Sequence, residues 1–396
     1  MARHYDAIVV GLGAMGSASC YQLALRGLNV LGIDRHEPPH SFGSSHGESR
    51  VMRLAIGEGE HYTPLALRSY ELFKQIEKEA NCNLLETTGM LTISSTDKTL
   101  IESEADFFDN TVAAAKRFGV KHDLLDAAEV RSRFPQFSIA DSERAYYEYA
   151  AGYLNPEECI RAQLELARKA GASVQAPESL ISFREEKSGV QVETDRATYS
   201  AKSLVLAAGP WLPNFLPNAL EKLFKVYRMT VSWFDVADVY EQFKPGAFPV
   251  FFWQLPGYDK WIYGFPAYDG PDKGLKIAAT DDFAVVNPDK VETTVSSSEI
   301  EDAYNKYIAP CLPAVRRKTM RSSMCMITAT PDSEFVLDYL PGTSRTLAVS
   351  ACSGHGFKHS AAIGECVASL VETGRSELDY SHFSFERFAN KCNGSI

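Results

Sequence analysis

The chain predicts an α/β protein of two domains, one a largely parallel sheet flanked by helices and the other a mixed, mainly antiparallel sheet. Its 396 residues exceed what one hydrophobic core usually supports. Short apolar runs bounded by turn residues recur at Asp6 to Val10, Asn29 to Ile33, Ser203 to Ala208 and Thr346 to Ala351, the texture of buried parallel strands. Between Leu223 and Ala314 the texture changes to strand-like runs rich in aromatics: Val231 to Phe234, Val250 to Trp253 and Trp261 to Pro266. No internal repeat, heptad run or low-complexity linker separates these regions, so the second domain is expected as insertions into the first. The expected division is 1–85, 146–220 and 321–396 for the first domain, with 86–145 and 221–320 for the second.

The first strand runs straight into Gly11-Leu-Gly13-Ala-Met-Gly16, and Ser17 to Arg26 then has helical periodicity ending at Gly27. The first glycine permits a tight turn, the second lets backbone amides approach a pyrophosphate, and the third lets helix and strand pack closely. The helix N-terminus adds positive potential for phosphate. The next strand ends in Asp34, placed to bond a ribose hydroxyl. Any one of these features alone is weak. All of them in register predict dinucleotide binding, with FAD and NAD undivided.

A formal net charge of −11 argues against nucleic-acid or anionic-membrane partners, which require clustered Lys and Arg. No segment reaches the roughly 18 uninterrupted apolar residues of a membrane span, and the N-terminus has no signal-peptide core. A cytoplasmic protein is the expectation. The eight cysteines show no paired or metal-type spacing, so they read as mostly reduced core residues and no metal site is expected.

Pro64 to Ala80 places Leu65, Tyr70, Phe73 and Ile76 at helical spacing. Further helices are expected over 97–118, over 126–134, where Asp126 and Glu129 form a capping pair, and over 156–171. Gly189 to Ser200 alternates around Asp195-Arg196 as a hairpin. These elements look structural. The Gly43 to Arg53 segment, with Ser45, His46, Arg50 and Arg53, differs: it is small and polar enough to pass close to a flat ring, and two arginines three apart can face one cavity. For either arginine alone a solvated basic loop is the better reading, and for His46 a loop histidine bonded to backbone is at least as good.

The most informative stretch runs from Cys325 to Lys358. Cys325-Met-Ile-Thr-Ala-Thr-Pro-Asp-Ser-Glu-Phe is followed, after a strand, by Ser353-Gly-His-Gly-Phe-Lys358 opening a helix whose apolar positions continue to Gly374. Gly354 and Gly356 permit close approach to a ligand, and a helix beginning near Gly356 aims its positive end above the sheet. A cation such as Lys358 is unfavourable at that end unless it meets an anion.

With the N-terminal glycine motif and the Gly43 to Arg53 segment, this stretch resembles the monomeric sarcosine oxidase and N-methyltryptophan oxidase family, from Tyr5 to about Phe385. The resemblance implies a Rossmann-like FAD-binding domain with a mixed antiparallel-sheet substrate domain, and FAD held covalently through Cys325, which physics alone would read as a buried structural cysteine. Gly11, Gly13, Gly16, Asp34, Ser45, Arg50, Gly354, Gly356, Phe357 and Lys358 would line the cofactor. Arg53 and Lys358 would bind a substrate carboxylate, Lys276 would promote reaction with dioxygen, and Arg50 would lie beside the flavin.

Two positions depart from the sarcosine-specific pattern: Thr280 stands where a histidine is usual, and Ile327 where a tyrosine is usual. Tyr263 keeps the other family tyrosine, with two extra residues between it and Lys276. The implied pocket is less polar than a sarcosine pocket. The implied activity is flavin-dependent oxidation of the C–N bond of a secondary amino acid, with dioxygen as acceptor, hydrogen peroxide as product and a monomeric enzyme. No obligatory general base is assigned, although His46 or Tyr263 could set the amine's protonation. Alternatives at this stage are a cyclic imino acid (pipecolate-like) oxidase, a fructosyl amino acid oxidase, an FAD dehydrogenase with another acceptor, a nicotinamide dehydrogenase and a non-enzymatic flavin scaffold.

Overall fold

A computed structural model describes residues 4–97, 107–255, 261–280 and 284–389. The strands His4–Val10, Val30–Ile33, Thr198–Leu206 and Thr346–Ser350 form a parallel core in which Val10 pairs with both Ile33 and Leu206, and Leu206 with Ala348. Ser173–Gln175 extends it in parallel beyond Val30–Ile33. The expected hairpin folds Gly189–Thr194 back on Thr198–Leu206, and Val336–Tyr339 lies antiparallel to Thr346–Ser350. The chain therefore re-enters one sheet twice, as its apolar runs imply. The parallel register also brings the carboxyl ends of four strands to one edge, where ligands of open α/β sheets bind.

One face of this sheet is covered by the helices Ala14–Leu25, Tyr62–Ala80, Pro156–Lys169 and Ser360–Thr373, whose apolar faces merge into one core. Two of these helices touch almost backbone to backbone: a Cβ on Gly364 would lie 2.5 Å from the carbonyl carbon of Ala18.

The second sheet has eight strands in the order Thr319–Ala329, Lys225–Phe234, Leu275–Ala279, Trp261–Gly264, Val250–Gln254, Met90–Ser95, Glu143–Glu148, His122–Asp126. Its neighbours are antiparallel except Val250–Gln254 with Met90–Ser95, so it is mixed. Most of the aromatic texture is core: Phe137, Phe248, Phe251 and Trp253 pack together behind the sheet. Thr319–Ala329 pairs along its length with Lys225–Phe234, and Glu143–Glu148 with Met90–Ser95, so divisions at 321 and 146 each fall inside a strand of this sheet.

Among the smaller elements, the Asp126–Glu129 capping box is present and starts a helix at Ala127–Arg133. The helix expected from residue 97 is described from Phe107 to Phe118, and 98–106 lie outside the described residues. Among the described residues no helix is long and apolar enough to cross a membrane.

Candidate active site

A cavity of about 1340 Å³ runs from the carboxyl edge of the parallel sheet to the face of the second sheet. At the sheet edge Gly11 has a φ of +86°, and a Cβ there would meet the Ala207 carbonyl oxygen at 2.5 Å. A Cβ on Gly16 would lie 1.6 Å from the Gly11 carbonyl oxygen, so the helix could not seat on the turn with any larger residue. The Asp34 carboxylate accepts from the amides of Leu12 (2.7 Å) and His36 (2.9 Å). Ser45 Oγ accepts from the Ala14 amide at 3.1 Å, pinning the Gly43–Arg53 segment to the helix start. Gly11, Gly13, Asp34 and Ser45 all line this end.

The middle of the cavity is built by that segment and by Thr319–Ala329. Arg50 donates to the carbonyls of Ser49 (2.8 Å) and Ser44 (2.9 Å), and its Nη2 lies 3.8 Å from Cys325 Sγ. Lys276 is 2% exposed and reaches the same segment from the second sheet, donating to Gly47 O at 2.6 Å, Ser49 O at 3.0 Å and Ser49 Oγ at 3.1 Å. Three acceptors match the three protons of an ammonium. Lys276 stands one layer behind the cavity wall rather than in it. Burial, with the nearby cations Arg50 and Lys276, lowers the His46 pKa to about 4. Its Nε2 has no hydrogen-bond partner among the described residues.

The far end is cationic on one side and aromatic on the other. Lys358 sits in the Phe357–His359 turn that leads into Ser360–Thr373. It is buried and donates to the His355 carbonyl at 2.6 Å. Burial first, then the Arg53 charge, lowers its pKa to about 7, with Glu58 acting the other way. Arg53 pairs with Glu58 at 2.5 Å. Although burial opposes ionisation of Glu58, Arg53, with His355 and Lys358 beyond it, holds that carboxyl well below the usual range. The Arg53 guanidinium also lies 5.1 Å from the centre of the Phe107 ring. Phe107 in turn packs on Phe252 and Trp261, themselves stacked at 4.3 Å.

Tyr263 directs its hydroxyl to Met229 Sδ at 3.6 Å, and burial raises its pKa, so the phenol stays protonated. Thr280 borders the cavity, but its hydroxyl accepts from the Trp261 amide at 2.8 Å and so faces backbone. Ile327 faces Gly354, whose φ is +82°. Glu58, the aromatic trio and Glu157, which accepts from the Gly47 amide at 2.7 Å, were not read from the sequence. Gly57-Glu58-Gly59 looks like an ordinary turn and Asn155-Pro-Glu157 like a helix start, so neither carried a signal.

The residues present fit an FAD. The volume exceeds the roughly 300–1,000 Å³ of common small-ligand pockets, which suits a dinucleotide together with a substrate. The glycine turn lies at one end, and an unpartnered buried imidazole nitrogen and a thiol beside a guanidinium lie further in. Fold and site define an FAD-dependent oxidoreductase: the FAD dependent oxidoreductase family matches residues 6–370, and the chain belongs to it. Within that family the chain is 35% identical over 393 residues to the monomeric sarcosine oxidase of Bacillus sp. (strain B-0618), covering 99% of this chain and 98% of that one. It is 30% identical over 387 residues to the N-methyl-L-tryptophan oxidase of Escherichia coli (strain K12), covering 97% and 99%. Among solved structures, NikD, an amino acid oxidase essential for nikkomycin biosynthesis, superposes with a TM-score of 0.80 at 25% identity over 96% of this chain and 97% of that one.

Proposed function

We propose that this enzyme, as a monomer, oxidises the C–N bond of a secondary amino acid bearing a bulky apolar side chain, with dioxygen as the electron acceptor. The observation that carries the reading is the pairing of Arg53 and Lys358 at one end of the cavity with Phe107, Phe252 and Trp261 beside them. The two cations would bind the substrate carboxylate by charge-assisted bonds, and the rings would take the side chain. Neither Thr280, whose hydroxyl is engaged by backbone, nor Ile327 offers polar recognition to a small, hydrophilic substrate.

When bound, FAD would supply the two-electron acceptor for hydride from the carbon beside the nitrogen, with dioxygen taking the electrons on to hydrogen peroxide and the imine product hydrolysing. Cys325 would hold it covalently, with Arg50 the cation beside the sulfur. Ser45 and the glycine turn would hold the nucleotide portion, with Gly354, Gly356 and Phe357 near the ring. His46 is uncharged at neutral pH, and its lowered pKa makes it a weak base that would hold the amine by a hydrogen bond without taking its proton; the Tyr263 phenol stays protonated. Lys276 would supply positive charge to nascent superoxide. From one layer behind the wall, at about 7 Å and an effective dielectric of about 20, a unit charge contributes roughly 2 kcal/mol, or between one and two decades in rate.

Anaerobic bleaching of the holoenzyme by a panel of N-methyl, cyclic and fructosyl amino acids tests the reading. N-methyl derivatives of large apolar amino acids should bleach it faster than sarcosine does. Preference for fructosyl or cyclic substrates overturns the substrate class, and absence of bleaching by every amine overturns the activity.

A further inference from the structure

The loop beneath Arg50 is held from two sides by opposite charges. Gly47 and Glu48 both have left-handed backbone, with φ of +96° and +67°. This turns the amides of both residues toward the Glu157 carboxylate: Gly47 N donates to Oε1 at 2.7 Å, and Glu48 N to Oε2 at 3.1 Å. The carbonyl of Gly47 points the other way and accepts from Lys276 Nζ at 2.6 Å. The Glu48 N–H and the Gly47 C=O belong to one peptide plane. A carboxylate therefore meets the donor end of that plane and an ammonium its acceptor end, so both charges align with a single peptide dipole.

We infer that Glu157 is a positioning residue for the oxygen half-reaction, serving through the Gly47–Glu48 peptide as the half-buried counter-charge that keeps Lys276 protonated. The inference rests on the reading that Lys276 acts on dioxygen. Lys276 faces the Arg50 guanidinium, the uncharged His46 imidazole, the Cys325 sulfur, the Glu48 and Glu157 carboxylates, and the rings of Trp233 (5.3 Å) and Phe265 (4.9 Å). Burial first, then Arg50, lowers its pKa well below the usual lysine value, and Cys325, Glu157 and Glu48 offset only part of that. A Cys325 converted to a thioether no longer contributes a charge. Glu48 is ion-paired with Arg321. Among the described residues Glu157 forms no ion pair, and it sits in the first turn of Pro156–Lys169 behind the Asn155 cap, where the helix terminus favours a carboxylate. Glu157 is thus the anion left to balance the lysine.

The test uses the complete holoenzyme with ε-13C-lysine labelling, Lys276→Met providing the assignment of the Lys276 signal. In the parent, Lys276 should titrate above neutrality; titration below pH 7 overturns the inference without any variant. In Glu157→Gln, which keeps an amide acceptor and loses the charge, the Lys276 pKa should fall by about one unit or more. Stopped-flow reoxidation of the reduced enzyme should slow by about tenfold at a pH above both values, with anaerobic reduction changed much less. Glu157→Asp should restore most of both properties, and Glu157→Ala stands in if Glu157→Gln does not fold. An unshifted Lys276 titration in the charge-removing variant, or equal slowing of both half-reactions in it, overturns the positioning role. If Lys276→Met itself reoxidises normally, the lysine's part in the reaction is the reading that fails.

Discussion

Arg53 Nη2 lies 2.5 Å from the Glu58 carboxylate, so the guanidinium proposed to hold a substrate carboxylate already holds one of the protein's own. A ligand carboxylate must displace or share that partner. Charge-assisted bonds of this kind contribute about 1.5 to 3 kcal/mol. Glu58→Gln should therefore tighten binding of a carboxylate inhibitor, lowering Kd by about threefold to tenfold. Titration of the flavin absorbance measures this, and a weakened Kd in the variant would show that Glu58 supports the clamp instead of competing for it.

Lys358 makes inhibitor binding depend on pH. Its pKa is lowered to about 7 in the free protein, so it is charged below that pH and neutral above it. A bound carboxylate favours the charged form, so Kd should stay flat below pH 7 and rise about tenfold per unit above it, until the pKa of the complex is reached. Lys358→Met should remove the slope and weaken binding at pH 6 by one decade or more. A slope retained in the variant would assign it to another group. The same shift affects stability: between about pH 7 and the unfolded lysine value near 10.4, the unfolded chain holds more protons, so this residue makes stability rise with pH.

Covalent attachment is checked by precipitation. The yellow colour should stay with acid-precipitated protein, and Cys325→Ala should release it to the supernatant. Colour lost from the unmodified protein would refute the linkage.

Lys276→Met separates the two half-reactions. Anaerobic bleaching by substrate should be modestly slower at most, while recovery of the yellow colour in air should slow by about one to three decades. If the parent enzyme reoxidises no faster than free reduced flavin, an acceptor other than dioxygen becomes the better reading.

The elements that sequence alone determined are those encoded locally. The strand, glycine turn and helix at Asp6 to Gly27, the Asp126–Glu129 cap and the hairpin around Asp195-Arg196 depend on periodicity and turn chemistry over a few residues. Each is found in the structure at close to its expected bounds. Roles for Cys325, Arg53 and Lys358 came from family resemblance, because a lone cysteine or cation carries no local signature. The tertiary structure decided what depends on distant partners. Lys276 meets Gly47 across a separation of 229 residues, and Glu148, far from Arg53 in sequence, accepts from the Leu54 and Ala55 amides that follow it. The Thr280 hydroxyl turns to the Trp261 backbone because the strand pairing offers it a donor there. Which oxygen or nitrogen a side chain meets is settled by packing between elements, and composition and spacing along one chain do not specify that packing.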